Sequence, residues 1–115
     1  MNDGLISIIM PVKNGMPFLE DAFGSIVDGQ SYENFELIIV NDGSTDGTVQ
    51  FLEEMTKYFS NFRWYHSPGN GILDALNFGF DQSKGEYITR MDADDMMTYN
   101  KLEVLVNSCE PGKVP

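Results

Sequence analysis

Positive charge is scarce in this chain. Seven Lys and Arg stand against eighteen Asp and Glu, a formal net charge of −11. The seven (Lys13, Lys57, Arg63, Lys84, Arg90, Lys101, Lys113) are scattered. No stretch of them can track a phosphate backbone, which argues against nucleic acid as a partner and equally against an anionic membrane. Cysteine is nearly absent. Cys109 stands alone, so no intrachain disulfide or cysteine-rich metal site can form, and it reads as a small apolar residue late in a helix. His66 is the one histidine and lacks partners for a metal set; it reads as a strand-end residue. Long apolar runs are missing too. The N-terminal run, residues 5–12, contains Ser7 and follows an acid, too short for a membrane span and wrongly flanked for a signal peptide. A cytoplasmic protein is expected. No GxxxxGK pattern occurs, which excludes a P-loop.

What is present is a regular alternation. The 115 residues, 42% hydrophobic, suit one domain with a real core. Buried strands are expected at LISIIMPV (5–12) and FELIIV (35–40), a weaker one at FRWYH (62–66) and a fourth at YITRM (87–91). Helices are expected over 16–27, 49–59, 71–83 and 100–108. Pro17 suits the first turn of the first helix, and Phe18, Leu19, Ala22, Phe23, Ile26 and Val27 keep one face. Ile72, Leu73, Leu76 and Phe80 are expected on the core side of the third. Four strand–helix units with short connections imply an α/β fold with a mostly parallel sheet, right-handed crossovers and helices on both faces. Ligands of such sheets bind beyond the carboxyl ends of the strands. The informative residues gather there: PVKNG, NDGSTDG, HSPGNG and DADD.

In DADD, three carboxylates, Asp92, Asp94 and Asp95, crowd the end of an apolar strand. In an extended segment Asp92 and Asp94 point the same way, ~6.5–7 Å apart, and can reach one ligand or one ion. A solvated turn capping the next helix is the plain alternative. Placement after YITRM favours a hard divalent cation, because buried unpaired charge is costly and Mg²⁺ or Mn²⁺ takes oxygen ligands. In NDGSTDG, residues 44–47 read as turn and cap chemistry, whereas Asp42 stands at the lip of the sheet, where a carboxylate can accept a base N–H. Pro11 and Val12 can form an apolar shelf beside a flat ring, with Lys13 or Asn14 as polar contacts, though an ordinary turn explains PVKNG locally. The 67–71 loop opens a helix, so its amides can face a phosphate. Met96 and Met97 stand beside the acids; the seven methionines otherwise read as core filling.

Taken in order, SIIMPVKNGMPFLEDAFGSI, FELIIVNDGSTDGT, GILDALNFGF and GEYITRMDADD resemble the donor half of a family 2 glycosyltransferase of the GT-A fold, along essentially the whole chain. The resemblance implies a nucleotide-sugar site at Pro11, Val12, Asn14, Asp42, Gly71, Asp74, Asp92, Ala93 and Asp94. It implies Mn²⁺ or Mg²⁺ on Asp94, helped by Asp92, bridging the donor diphosphate, with Asp95 orienting its neighbours. The donor is then a nucleotide-diphosphate sugar, UDP-sugar by default, and the acceptor an unidentified hydroxyl. The chain departs from the family where many members carry an aromatic residue (here Lys13) and an Arg (here Leu76). It also ends soon after the acidic motif, so a donor-binding fragment without acceptor half or general base is expected. Neither Glu103 nor Glu110 is assigned as that base. Such a fragment is expected to turn over little or nothing, to self-associate through an exposed sheet edge, and to come from a longer parent with possible membrane association. Two rivals remain: a sugar nucleotidyltransferase-like domain, for which PVKNGMPF is a poor basic loop, and a non-catalytic α/β interaction module in which DADD is only a solvated turn.

Overall fold

The computed structural model describes residues 4–69 and 71–108; Asn70, Cys109, Glu110 and Lys113 lie outside the described residues. Four strands and four helices alternate: β1 (Ile6–Val12), α1 (Phe18–Val27), β2 (Phe35–Asn41), α2 (Thr48–Met55), β3 (Phe62–His66), α3 (Ile72–Gln82), β4 (Tyr87–Arg90) and α4 (Lys101–Ser108). The sheet is wholly parallel in the order β3-β2-β1-β4. The chain thus steps outward twice, then crosses back over the sheet to lay β4 beside β1. That reversal puts α1 and α2 on one face and α3 on the other.

Every residue of β1 and β2 is buried. On one face Ile6, Ile8, Met10, Leu37 and Ile39 meet Leu19, Phe23, Ile26, Leu52 and Leu102. Phe23 is the centre of this core, its ring edge-on to Phe51, Phe59 and Phe62 at 4.9–5.4 Å. The other face is thinner, with Ile38 and Val40 under Ala75 of α3.

α3 does not pack as its apolar stripe suggests. Ile72, Leu73 and Phe80 are exposed and Leu76 is half-buried; Ala75 and Gly79 make the contact. A Cβ on Gly79 would stand 2.6 Å from Ile9 Cγ2, so the helix lies too close to the sheet for a larger side chain there. Closeness of approach, not hydrophobicity, chose the face. Phe18 is likewise exposed, in the first turn of α1. α2 ends at Met55, four residues short of the expected end. The Thr56 hydroxyl donates to Glu53 O at 2.7 Å, and Lys57 and Tyr58 bond back three residues, tightening the last turn.

Register sets the level of each strand end. Val12, Asn41 and His66 lie in line across β1, β2 and β3, but β4 stops at Arg90, opposite Ile9. The last ladder contact there is Met91 N to Ile9 O at 3.0 Å. Alternation points the nitrogen of Pro11 toward this missing stretch of β4, which is why a residue without an N–H is tolerated inside a central strand. The vacated edge beside Pro11 and Val12 is where the acidic segment turns.

Candidate functional site: the carboxyl ends of the strands

Residues 92–95 form a turn, not an extended segment: Asp95 N donates to Asp92 O at 3.1 Å. The turn gathers carboxylate oxygens of Asp92, Asp94 and Asp95 within 4.8 Å of one another, closer than an extended chain would bring them. All three residues are exposed, so the expected burial of these charges does not occur; the repulsion among them is met by water. Arg90 Nη2 donates to Asp92 Oδ1 at 3.0 Å, while among the described residues Asp94 and Asp95 have no ion pair. Three clustered carboxylates with open oxygens fit a hard divalent cation, an all-oxygen donor set with room for phosphate and water.

What aims this turn was not legible beforehand. Gln30, just beyond α1, donates to Thr98 O at 2.6 Å and accepts from Leu102 N at 3.1 Å. Ser25 Oγ accepts from Met97 N at 2.9 Å, and Ser31 N donates to Tyr99 O at 2.9 Å. The end of α1 thus holds the segment that follows the acids.

The β1 loop is held from its other side by the β2 loop. Asn14, in the left-handed region at φ 53°, donates its N–H to Ser44 Oγ at 2.9 Å and accepts from Thr45 N at 2.7 Å. Gly15 N donates to Thr48 Oγ1 and Met16 N to Asp46 Oδ2, both at 3.1 Å. Asp46 also accepts from the Thr48 hydroxyl and amide, and these bonds, the hydroxyl first, hold its carboxyl below the ordinary range. Residues 44–47 are therefore turn chemistry, as expected, but they also fix the backbone on which Asn14 sits. A Cβ on Gly15 would come 2.6 Å from Val12 Cγ2 and 3.6 Å from Ala93 Cβ, so the glycine lets the β1 loop and the acidic turn close on each other.

Two hollows open along this edge. One, of about 260 Å³, is lined by Pro11, Val12, Lys13, Asn14, Gly15, Phe18, Asp92, Ala93 and Asp94. The other, of about 700 Å³, lies over β2 and β3 and is lined by Lys13, Asn41, Asp42, Gly43, His66, Ser67, Gly69, Gly71 and Ile72. An apolar notch of about 90 Å³ joins them, bounded by Pro11, Val12, Lys13, Asp42 and Ile72. Lys13 belongs to all three. Eight of the nine expected residues lie along this trough. Asp74 sits apart, its carboxylate beneath the loop at Gly69, where an added Cβ would fall 2.2 Å from Oδ2. His66 meets Asn41 Nδ2 through Nδ1 at 3.3 Å and stacks edge-on against Trp64. Phe18 and Ile72 were missed as site residues; both are large apolar side chains in the first turn of a helix that starts at the site.

A parallel sheet whose strand order reverses beside β1, with an acidic turn and an apolar notch at that reversal, defines an α/β domain of the GT-A kind. Residues 7–114 match the family model described as Glycosyl transferase family 2. The chain belongs to that family. It is 39% identical over 108 residues to an uncharacterized glycosyltransferase of Haemophilus influenzae, covering 93% of this chain and 43% of that protein. It is 35% identical over 102 residues to glycosyltransferase GlyG of Streptococcus pneumoniae, covering 88% and 34%. Among solved structures, S. aureus TarS 1-349 in complex with UDP superposes with a TM-score of 0.80 at 25% identity, over 89% of this chain and 31% of that one. The chain therefore spans less than half the length of these relatives.

Proposed function

We propose that these residues form the donor-binding half of an inverting, metal-dependent glycosyltransferase that takes a nucleotide-diphosphate sugar, with UDP-sugar favoured, and passes the sugar to an acceptor hydroxyl. One observation carries the reading: Asp42 lines one hollow and Asp92, Ala93 and Asp94 the next, with Lys13 and the apolar notch at Pro11 and Val12 between them, at the carboxyl edge of the sheet. The UDP bound in TarS, a relative in fold with 25% identity, supports a uridine nucleotide.

Each part of the trough has a task. Pro11, Val12 and Ile72 flank the base, Asp42 accepts from its edge, and Asn14 keeps the β1 loop in shape. Asp94 and Asp92 would hold Mn²⁺ or Mg²⁺, with Asp95 beside them. When bound, the ion supplies Lewis-acid stabilisation of the diphosphate leaving group. Arg90 orients Asp92 from the side, and Lys13 lies close enough to both hollows to offset charge on the donor. In the transfer itself the acceptor oxygen bonds to the anomeric carbon as the bond to the diphosphate oxygen breaks. No residue described here is assigned the proton-accepting role: Glu103 lies on α4 and faces Ser31 at 3.5 Å. These residues alone are proposed to bind donor weakly and turn over little.

The β4 edge is the proposed surface for self-association, and the cytoplasm the proposed location, with membrane association left to a longer parent. No helix among the described residues is long and apolar enough to cross a membrane. The test is an NMR titration with UDP, with and without Mn²⁺. Shifts at Val12–Gly15, Asp42–Gly43, Gly71 and Asp92–Asp95 are expected, stronger with the ion. A spectrum unmoved by UDP in either condition would leave an α/β interaction module as the better reading.

A further inference from the structure

We propose that Lys13 holds the phosphate nearest the nucleoside directly, without the ion, so that the two phosphates of the donor are carried by different parts of the protein. The inference rests on the donor-binding reading above and assigns that site a second anion contact.

A diphosphate arriving at this edge meets Asp42 on one side and the Asp92, Asp94 and Asp95 cluster on the other, and like charges repel. An ion on the acidic turn offsets that repulsion at one end only. Arg90 does not serve the other end. Its Nη2 donates to Asp92 Oδ1 at 3.0 Å, and it lines neither hollow nor the notch. Lys13 lines all three, and it is the only Lys or Arg in any of their walls. The residue is exposed, and among the described residues its ammonium makes no ion pair and no hydrogen bond. It shares hollows with Asp42, Asp92 and Asp94 yet bonds to none of them, so its three donors stay open.

The backbone beneath this side chain is fixed on both sides. Asp42 N donates to Val12 O at 2.8 Å, and Asn14 N donates to Ser44 Oγ at 2.9 Å. A flexible, compact positive charge thus swings from an anchored root, which suits a phosphate. Order along the edge then decides which phosphate it takes. The hollow and notch at Asp42 lie to one side of Lys13, and the hollow at Asp92 and Asp94 to the other. With the nucleoside in the first and the ion in the second, the phosphate bonded to ribose falls at Lys13. The outer phosphate, which carries the sugar, falls at the acidic turn. A preference for phosphorylated nucleoside that survives removal of the ion follows.

NMR titrations of the 115-residue chain in EDTA with uridine, UMP and UDP test this, for the native protein and for Lys13→Met, Lys13→Arg and Asp94→Asn. The native chain is expected to bind UMP about three- to fivefold more tightly than uridine, the range of an exposed ion pair, and to lose the difference near 1 M salt. Lys13→Met should bind UMP no better than uridine, with uridine itself unchanged. Lys13→Arg should restore the preference, and Asp94→Asn should keep it, because neither the charge at position 13 nor its place beside the nucleoside is altered. A folded Lys13→Met chain that still prefers UMP overturns the proposal. So does a native chain that binds UMP no better than uridine, or an Asp94→Asn chain without the preference; in each of these uridine binding remains and the donor reading stands. A native chain that binds none of the three in EDTA, and no UDP with Mn²⁺, removes both.

Discussion

Glu36 and Asp94 are carboxylates of one sheet, met at opposite edges of it. Glu36, near the amino end of β2, is 7% exposed, and both of its oxygens are engaged. Ser7 Oγ donates to Oε2 at 2.5 Å and Lys84 N to the same oxygen at 2.7 Å, while Arg63 Nη1 donates to Oε1 at 2.5 Å. Arg63 in turn donates to Gln82 O and Tyr65 OH. Asp94, past the carboxyl end of β4, is exposed, lies among like charges and has no ion-pair partner among the described residues. A buried acid is retained only where donors surround it, so the first arrangement is a device for closing β1, β2, β3 and the α3–β4 connection at one edge. The second holds nothing together. Asp92 is paired with Arg90, but Asp94 and Asp95, without ion pairs among the described residues, leave their oxygens available, and that difference underlies the proposed division between architecture and donor binding.

The contrast breaks first at Glu36, where the largest effect is expected. Glu36→Ala strands the Ser7 hydroxyl and the Lys84 amide, and leaves Arg63, about a third exposed, to water. A loss of about 2–4 kcal/mol in urea unfolding follows, less than for a fully buried pair because Arg63 can be resolvated. The same bonds set a pH dependence. Burial pushes the Glu36 carboxyl up, but the Ser7 hydroxyl, the Lys84 amide and Arg63 outweigh it and hold it below its ordinary 4.5. A lowered folded value means the contribution is present above about pH 4.5 and is lost as pH falls through the folded value. Urea melts of the native chain should therefore weaken below pH 4.5 more than those of Glu36→Gln. Parallel acid profiles would show that the network carries no such linkage.

Asp94→Asn comes next and acts on binding. Even indirect disturbance of a metal site costs 10–100-fold in affinity, so removal of a ligand should cost at least about tenfold in Mn²⁺-dependent UDP affinity. Glu36→Gln, under conditions where it is folded, should leave that affinity close to native. Calorimetry with both variants checks the pair. If Glu36→Gln weakens Mn²⁺-dependent binding as much as Asp94→Asn does, the two edges are not independent and the division fails.

The ease of reading this fold from sequence follows the same line. All eight elements were legible, because buried strands and helix faces write themselves as runs and periodicities. The parallel direction of the strands followed from alternation; their order across the sheet did not. A solvated turn at Asp92–Asp95 stood open beside an extended segment, and the exposed turn is what forms. What decides between them, β4 ending at Arg90 and the hold of Gln30 and Ser25 on the segment that follows, is distant in sequence. The packing face of α3 was misread because the stripe of Ile72, Leu73, Leu76 and Phe80 outweighs, on any hydrophobic scale, the Ala75 and Gly79 that can approach Ile9. The residues expected at the site do gather at the strand ends, Asp74 excepted. Their surroundings were not legible: Asn14 is bound into the β2 loop, Asp74 lies under Gly69, and Phe18 and Ile72 line the hollows unannounced.

The smallest effect has the opposite sign. Asp94 sits among Asp92 and Asp95 with carboxylate oxygens within 4.8 Å, and two charges at such a separation repel by ~1 kcal/mol in water. These residues are neighbours in sequence, so part of that repulsion persists in the unfolded chain and cancels. Salt reduces the rest, with a screening length of about 10 Å at 0.1 M. Without added divalent ion, Asp94→Asn should then be slightly more stable than the native chain at low salt, by less than about 1 kcal/mol, with the gain vanishing near 1 M salt. Mn²⁺ should reverse the order, because an ion that binds only the folded native chain adds to its stability by mass action. Thermal or urea melts of the two chains in EDTA, in EDTA with salt, and in Mn²⁺ give the three comparisons. Destabilisation by Asp94→Asn in EDTA would mean that the carboxylate supports the turn, as Glu36 supports its own edge, and that the exposed acids are architecture after all.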